Sequence, residues 1–272
     1  EILRYDGYNM RLTFEENCFQ DIIFNFKDRD NLFKKISMLG IKMDMRLALF
    51  LIEPENPRVI PDVRSYCQGE WAEKCYTISR NGRILVIVEV SVLSNIKEHL
   101  VALASDLVQR LGHAFPGGAF RLGIGRCYED MTALNKSFYE ARAALTMNLI
   151  NRSENPVTHF NDLGIYRILF DLKNKRELYQ FYKETAGVIM DYDKANNTEY
   201  FITIRTYMDQ NYSTNNTAQK LFVHYNTIRY RLAKIKALFG ADMDDEEDRI
   251  NLYMAVKISD FLAEDRNLPE QP

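Results

Sequence analysis

The sequence predicts an α+β protein in which an antiparallel sheet is followed by an all-helical C-terminal region. The chain has 272 residues, a length typical of about two domains at roughly 100–200 residues each. Apolar runs suited to strands occur between residues 47 and 127, in the order strand, hairpin, helix, strand, helix. Residues 151–200 lack strand patterning, and a helical block occupies about 199–263. We therefore expect one sheet domain and one helical domain.

The elements of the sheet region follow from local patterns in chain order. Leu47–Ile52 is a continuous apolar run that suits a buried strand, and Asn81-Gly82 between two apolar runs is the strongest short hairpin signal. Gly40 is the predicted C-cap of the helix at 29–39. The predicted elements are helices 15–27 and 29–39, strand 47–52, a short helix at 63–68, strands 74–79 and 83–90, helix 95–114, strand 119–127 and helix 131–149. We expect the helices to cover one face of the sheet.

The helical pattern predicts two helices before the final block, at 162–172 and 175–190. Asn196-Asn197-Thr198 interrupts the helical pattern before that block begins. These breaks give the predicted organisation, which is a sheet domain at 1–150, a helical connector at 151–200 and a DNA-binding domain at 201–272.

Composition excludes several classes of protein. Hydrophobic residues at 46% and charged residues at 27% are globular values, and the net charge of −3 excludes a uniformly basic nucleic-acid coat. The sequence contains no run of about 18 apolar residues, so it predicts no membrane-spanning helix. The cysteines at 18, 67, 75 and 127 are scattered and the four histidines do not cluster, so we expect no metal site and no disulfide framework. The first residue is Glu1, and we expect a cytoplasmic chain that is part of a longer protein.

A basic window near the C-terminus is the strongest functional signal. From Gln210 to Ala241 there is no Asp or Glu, and six acidic residues follow at 242–248. The basic residues of the window are Lys220, His224, Arg229, Arg231, Lys234 and Lys236. Such a window is often only a solvated helix face, but a local positive surface is also what DNA phosphates require. The apolar pattern beneath the charges distinguishes the two interpretations.

That pattern is typical of a helix-turn-helix. A short helix at 214–221, capped by Ser213 or Thr214, is followed by the tight connection Phe222-Val223-His224. A second helix at 225–239 ends at Gly240. Its buried stripe consists of Ile228, Leu232, Ile235 and Phe239, and its opposite side consists of Asn226, Tyr230, Ala233 and Ala237. Small alanines on that side let a helix lie deep in a major groove, so 225–239 is the predicted recognition helix.

These residues resemble the C-terminal helix-turn-helix of the PucR/CdaR family of bacterial transcriptional regulators. The resemblance is carried by Thr217-Ala218-x-x-Leu221-x-Val223-His224-x-Asn226-Thr227-Ile228-Arg229-Tyr230-Arg231-Leu232-x-x-Ile235, by Thr203–Met208 and by Arg249-x-x-Leu252-x-x-Ala255-x-x-Ile258. The motif also resembles the Fis-type recognition element, in which a capping residue precedes Asn-Thr at the helix start. This resemblance implies that His224 caps the recognition helix, and a partly exposed turn histidine is the alternative. Phe222 stands where many helix-turn-helix proteins have Gly, so we expect a turn unlike the commonest one.

The upstream region resembles the GGDEF-like domain of CdaR-type regulators. Leu122-Gly123-Ile124-Gly125, followed by Leu134-x-x-Ser137-Phe138-x-x-Ala141-x-x-Ala144-Leu145, is similar to its last strand and helix. A cyclase of this type would carry carboxylates in the hairpin to hold Mg²⁺, whereas here the hairpin reads Ser79-Arg80-Asn81-Gly82-Arg83. Gly123-x-Gly125 lacks the third glycine of a dinucleotide fingerprint. We expect no catalytic residues, no cofactor and no enzyme activity.

The sequence thus predicts a sequence-specific transcriptional regulator that reads duplex DNA as a homodimer. The predicted DNA-contacting residues are Lys220, His224, Tyr225, Asn226, Thr227, Arg229, Tyr230, Arg231 and Lys234. We assign base edges to Asn226 and Arg229, and thymine methyls or the backbone to the two tyrosines. The predicted phosphate contacts are Thr227, Arg231, Lys234 and Lys220.

Three alternatives to this assignment stay open. Arg231 lies near the buried stripe and is alternatively a partner of the acidic run. A nucleotide-binding or cyclase-like enzyme is the second alternative, and a scaffold that has lost DNA binding is the third. We expect the effector of the regulator to be sensed outside this chain.

Overall fold

The structure is a computed structural model that describes residues 16–24, 45–71, 75–150, 153–172 and 175–265. The chain divides into two compact units, Glu1–Arg167 and Ile168–Pro272. The predicted helix 29–39 and its Gly40 cap lie outside the described residues. None of the helices in the described ranges is long and apolar enough to cross a membrane.

The first unit is built around a five-stranded sheet. Its elements are α1 (16–24), β1 (Leu47–Pro54), a 3-10 turn (Pro57–Val59), α2 (Ile60–Tyr66) with a π-helical extension (Cys67–Trp71), β2 (Cys75–Arg80), β3 (Arg83–Glu89), α3 (Ile96–Ala114), β4 (Phe120–Ile124), a 3-10 turn (Met131–Ala133), α4 (Leu134–Ile150), β5 (Val157–His159) and a 3-10 turn (Phe160–Leu163). The strand order is β2-β3-β1-β4-β5. Asn81 and Gly82 take φ of 50° and 75° between β2 and β3, which confirms the predicted hairpin.

Strand β5 was not predicted, and the expectation that residues 151–200 contain no strand is wrong. Val157 pairs with Leu122 and Thr158 with Gly123, and this pairing is parallel, whereas the other strand pairs are antiparallel. Three residues are too few to show the alternation that identifies a strand. The Asn148 amide helps to hold β5 by donating to Asn155 O and Thr158 Oγ1, both at 2.8 Å.

Helices cover both faces of the sheet, so the prediction of one covered face is wrong. Ala48, Phe50 and Ile52 of β1 pack in the same core cluster as residues of α3. The alternate residues Leu47, Leu49 and Leu51 pack in a second cluster with α1 and α4. A strand buried on both faces is continuously apolar rather than alternating, which is the physical meaning of the Leu47–Ile52 run.

The two glycines of β4 and the following loop let α4 approach the sheet closely. A Cβ at Gly123 would lie 2.1 Å from Ala141 O, and one at Gly125 would lie 2.0 Å from Ser137 O. Ser137 Oγ accepts the Leu49 N–H at 3.0 Å and donates to Arg126 O at 2.8 Å. The Gly-x-Gly pattern therefore serves helix–sheet packing.

The four cysteines lie within the described residues, where Cys18 and Cys67 are buried and Cys75 and Cys127 are half-buried. Burial raises the pKa of the Cys67 thiol to about 12 and that of Cys75 to about 11, so both thiols are poor nucleophiles at neutral pH.

The second unit is helical. Helix α5 (Tyr166–Asp171) includes the boundary between the two units at residues 167 and 168. The elements that follow are α6 (Arg176–Tyr182), a π-helical turn (Lys183–Gly187), α7 (Val188–Asn196), α8 (Tyr200–Asp209), α9 (Thr214–Lys220), α10 (Tyr225–Phe239) and α11 (Glu246–Asp265). Ile189 of α7 shares a buried cluster with Ile204, Ile235 and Leu252. The helix predicted at 175–190 extends to Asn196 and belongs to the same compact unit as the helix-turn-helix.

Candidate nucleic-acid interface

Helices α9 and α10 form the predicted helix-turn-helix, and their ends are set by the residues expected from the sequence. Ser213 Oγ accepts the Asn216 N–H at 3.3 Å and begins α9. His224 Nδ1 accepts the Asn226 N–H at 3.3 Å, so His224 is the N-cap of α10, as predicted. Gly240, at φ 71°, ends the helix with its N–H bonded to Lys236 O.

The buried stripe of α10 fixes the orientation of the helix within the unit. Ile228 and Ile235 are completely buried, and Leu232 and Phe239 are partly buried against the cluster that includes Ile204. The opposite face consists of exposed side chains, which are Asn226, Arg229, Tyr230, Ala233, Lys234 and Ala237. We call these six residues the exposed face of α10.

The exposed face carries both hydrogen-bonding groups and aromatic surface. Tyr230 is 60% exposed, and Lys234 Nζ lies 5.6 Å from its ring centroid. Tyr225 is 43% exposed at the first turn, where its ring lies 4.8 Å from that of His224. Thr227 is half-buried at the edge of this face.

The cations of the basic window fall into two groups. Lys220, Arg229 and Lys234 are exposed, and none of them pairs with a carboxylate of the described residues. Lys236 instead pairs with Asp242, and this hydrogen-bonded pair raises the pKa of Lys236 and lowers that of Asp242. The first group is available for an external anion, whereas the second is already neutralised.

Arg231 belongs to the neutralised group. Its guanidinium donates to Glu199 Oε2 at 2.7 Å and to Thr203 Oγ1 at 3.1 Å, and its side chain is only 16% exposed. The alternative that Arg231 pairs with the acidic run at 242–248 is therefore wrong, because its carboxylate partner lies at the start of α8. No local sequence signal identifies Glu199, which is 32 positions away from Arg231.

The turn before α10 takes a glycine-like conformation. Phe222 has φ 56°, the left-handed region that glycine favours, although a different turn was expected from the presence of Phe. The Phe222 N–H bonds to Gln219 O and the Val223 N–H to Ala218 O, so the turn is held on both sides.

A second polar site lies beside the β2–β3 hairpin, in a cleft with a volume of about 620 Å³. The charged residues that line it are Glu53, Glu55, Arg83 and Arg121. Arg83 forms an ion pair with Glu53, while Arg121 donates to Asn148 Oδ1 at 2.5 Å and to Ser153 O at 3.0 Å. Within the described ranges, no group of three or more His, Cys, Asp or Glu residues is placed to hold a metal ion.

The carboxylates of this cleft were missed by the sequence analysis. Glu53 follows the predicted strand 47–52 and reaches the hairpin because β1 pairs with β3 in antiparallel register. An acidic residue directly after a buried strand was the available signal.

This architecture defines a two-unit α+β protein with a C-terminal helix-turn-helix, and comparison with known proteins agrees. The model of the PucR C-terminal helix-turn-helix domain matches residues 200–258, and that of the GGDEF-like domain matches residues 26–147. The chain thus combines a GGDEF-like domain with a PucR C-terminal helix-turn-helix domain, and its homologues are PucR/CdaR-type regulators.

Individual relatives share parts of their length with this chain. The proline-responsive transcriptional activator PutR of Bacillus subtilis is 30% identical over 71% of this chain and 47% of its own length. The carbohydrate diacid regulator of Escherichia coli is 25% identical over 52% of this chain and 36% of its own. The chain thus spans about half or less of these curated relatives. A regulator of polyketide synthase expression from Bifidobacterium adolescentis, a solved structure, is 19% identical with a TM-score of 0.39, over 92% of this chain and 93% of that one.

Proposed function

We propose that the second unit binds duplex DNA and that α10 is the helix that enters the major groove. The observation that carries the proposal is the exposed face of α10, where Asn226, Arg229 and Lys234 point outward and no acidic residue occurs between Gln210 and Ala241. An α-helix fits the major groove, and the alanines at 233 and 237 permit close approach of its backbone. The relatives named as transcriptional activators or regulators support the same function.

The side chains of this face divide into base readers and phosphate binders. Amide and guanidinium groups make the specific pairings with adenine and guanine, so Asn226 and Arg229 are the proposed base-edge contacts. Lys220, Thr227 and Lys234 are the proposed phosphate contacts, which set register without reading sequence. Tyr225 and Tyr230 offer exposed rings to thymine methyl groups or to the backbone.

His224 and Arg231 support the helix in this proposal. The His224 imidazole accepts a backbone N–H of α10 and thereby fixes its first turn. Arg231 joins α10 to the start of α8 through Glu199 and Thr203. We therefore move Arg231 from the predicted phosphate contacts to the residues that position the recognition helix.

The whole protein is, in our proposal, a bacterial transcriptional regulator that acts as a homodimer in the cytoplasm, where the chromosome lies. One recognition helix reads only a few base pairs, and two half-sites about one helical turn apart supply the specificity of most helix-turn-helix proteins. The effector is proposed to act on a region outside this chain, since the chain spans only part of its relatives.

The GGDEF-like domain is proposed to be without cyclase activity. The hairpin tip Asn81-Gly82 offers no carboxylate, and the nearby Glu53 is already paired with Arg83. Mg²⁺ requires oxygen ligands in near-octahedral geometry, and a cleft in which Glu53 is paired with Arg83 does not provide them.

Selection of bound sequences from a random duplex library tests the proposal directly. The 272-residue chain should enrich one motif with two related half-sites. Failure to enrich any motif, by a protein whose circular dichroism shows it to be folded, would contradict DNA reading by α10.

A further inference from the structure

Phe222 is the most exposed of the large apolar residues in the described ranges, at 95%. It contacts no other aromatic ring of those residues, and it stands two positions before the N-cap of α10. Its φ of 56° is uncommon for a residue with a bulky side chain and costs free energy relative to glycine. The free protein therefore gains nothing from this side chain, either by burial or by backbone conformation.

We infer that Phe222 is a DNA-docking residue whose ring packs on the deoxyribose edge of the major groove when α10 binds. This inference rests on the proposed function. When the N-terminal turn of a helix enters a groove about 12 Å wide, the residues just before that turn face the flanking sugar–phosphate backbone. A phenyl ring has no donor or acceptor for base edges, whereas deoxyribose presents carbon atoms that it can cover.

The charges around Phe222 favour a polyanion over a second copy of this chain. Lys220, two residues earlier, is exposed and has no carboxylate partner among the described residues, and Arg229 lies on the exposed face that follows. Two copies meeting through this turn would bring like charges together, which opposes association. A DNA backbone combines the negative charge that these cations require with the apolar sugar surface that the ring requires.

The test compares Phe222→Gly and Phe222→Ala with the wild-type chain on the selected operator and on an unrelated duplex, using fluorescence anisotropy over a range of salt concentrations. Loss of the apolar contact should weaken binding about tenfold, or about 1.4 kcal/mol, on both duplexes. The salt slope should stay unchanged, because no phosphate contact is removed. Leu93→Ala, which removes another exposed apolar side chain (79%), is the matched control and should bind like the wild type.

Stability separates docking from a structural role. Phe222→Gly relieves the left-handed conformation and removes no buried contact, so it should melt no lower than the wild type. Lower melting of both variants would show that the ring supports the turn itself and would overturn the inference. Unchanged affinity of both variants for the operator would also overturn it, as would reduced self-association in sedimentation without a loss of DNA affinity. If the wild type selects no operator, the proposed function fails first, and that outcome is distinct from these.

Discussion

The hairpin cleft of the first unit and the exposed face of α10 both present arginines, but they differ in how these charges are compensated. In the cleft, Arg83 pairs with Glu53 and Arg121 is held by Asn148 and a carbonyl oxygen. On α10, Arg229 and Lys234 have no carboxylate partner among the residues that the structure describes.

This difference indicates which surface is prepared for an external anion. A cation that already has an intramolecular carboxylate must lose that partner before it can bind a phosphate, whereas an uncompensated cation releases only its counterions. Whether a cation is paired with a carboxylate therefore predicts phosphate binding better than its position in the basic window. Arg231 and Lys236 lie in the window but are already paired.

The largest expected effect comes from placing a negative charge on the exposed face of α10. Ala233→Glu places a bulky carboxylate on the side of α10 that faces the groove, and we expect binding to operator and to random duplex to fall by roughly 100-fold or more. Ala233→Ser is the matched control and should bind within a few-fold of the wild type. Retained binding by the Glu variant, with an unchanged melting curve, would show that this face does not meet DNA.

Removal of a base contact should have the next largest effect. Arg229→Ala should cost about 1–3 kcal/mol on the selected operator and relax the preference at one base position. Binding to random duplex should change much less. The measurement is a titration of all four bases at each operator position, and equal losses at every position would move Arg229 to the phosphate contacts.

The helix-turn-helix was predictable because its determinants are local. The caps Ser213, His224 and Gly240 lie within one turn of the helix ends that they set, and the stripe that contains Ile228 and Ile235 follows from helical periodicity. The ends of α10 and the residues of its exposed face could therefore be predicted from one short, continuous stretch of sequence.

The parts that sequence reasoning missed depend on distant pairing. The partner of Arg231 is Glu199, 32 positions away. The three-residue β5 forms by pairing with the edge of β4. The second helical layer packs on alternate residues of β1, which are as apolar as those on the other face. None of these contacts leaves a periodic signal in the sequence. The difference in ion pairing between the cleft and the exposed face of α10 is therefore seen only in the structure.

Loss of a phosphate contact should be smaller and should appear in the salt dependence. Lys234→Ala should weaken binding to all duplexes similarly and reduce the salt slope by about one, because one fewer counterion is released. Lys236→Ala is the matched control, since Asp242 already neutralises this lysine, and it should leave the slope nearly unchanged. Equal slopes for the two variants would contradict the division of the basic window by pairing.

Truncation of a paired arginine in the cleft should have little effect on DNA. Arg83→Ala removes the same side chain as Arg229→Ala, but from the first unit and from an ion pair with Glu53. We expect operator affinity within about twofold of the wild type, the range of a surface change that removes no DNA contact. A loss as large as that of Arg229→Ala would show that the first unit takes part in DNA binding.

We expect no cyclic dinucleotide to form when the chain is incubated with GTP and Mg²⁺. Two-metal or one-metal phosphoryl chemistry needs carboxylates to hold the cation, but the hairpin tip is Asn81-Gly82, and Glu53 is held by Arg83. Releasing that carboxylate by Arg83→Ala should not create activity either, because Glu53 and Glu55 alone, at the edge of an open cleft, do not fix an octahedral ion. The measurement is chromatographic detection of cyclic dinucleotide against a boiled control. Product from the wild type would show that the cleft is a working nucleotide site despite its ion pair, whereas product from Arg83→Ala alone would show that the pair suppresses one.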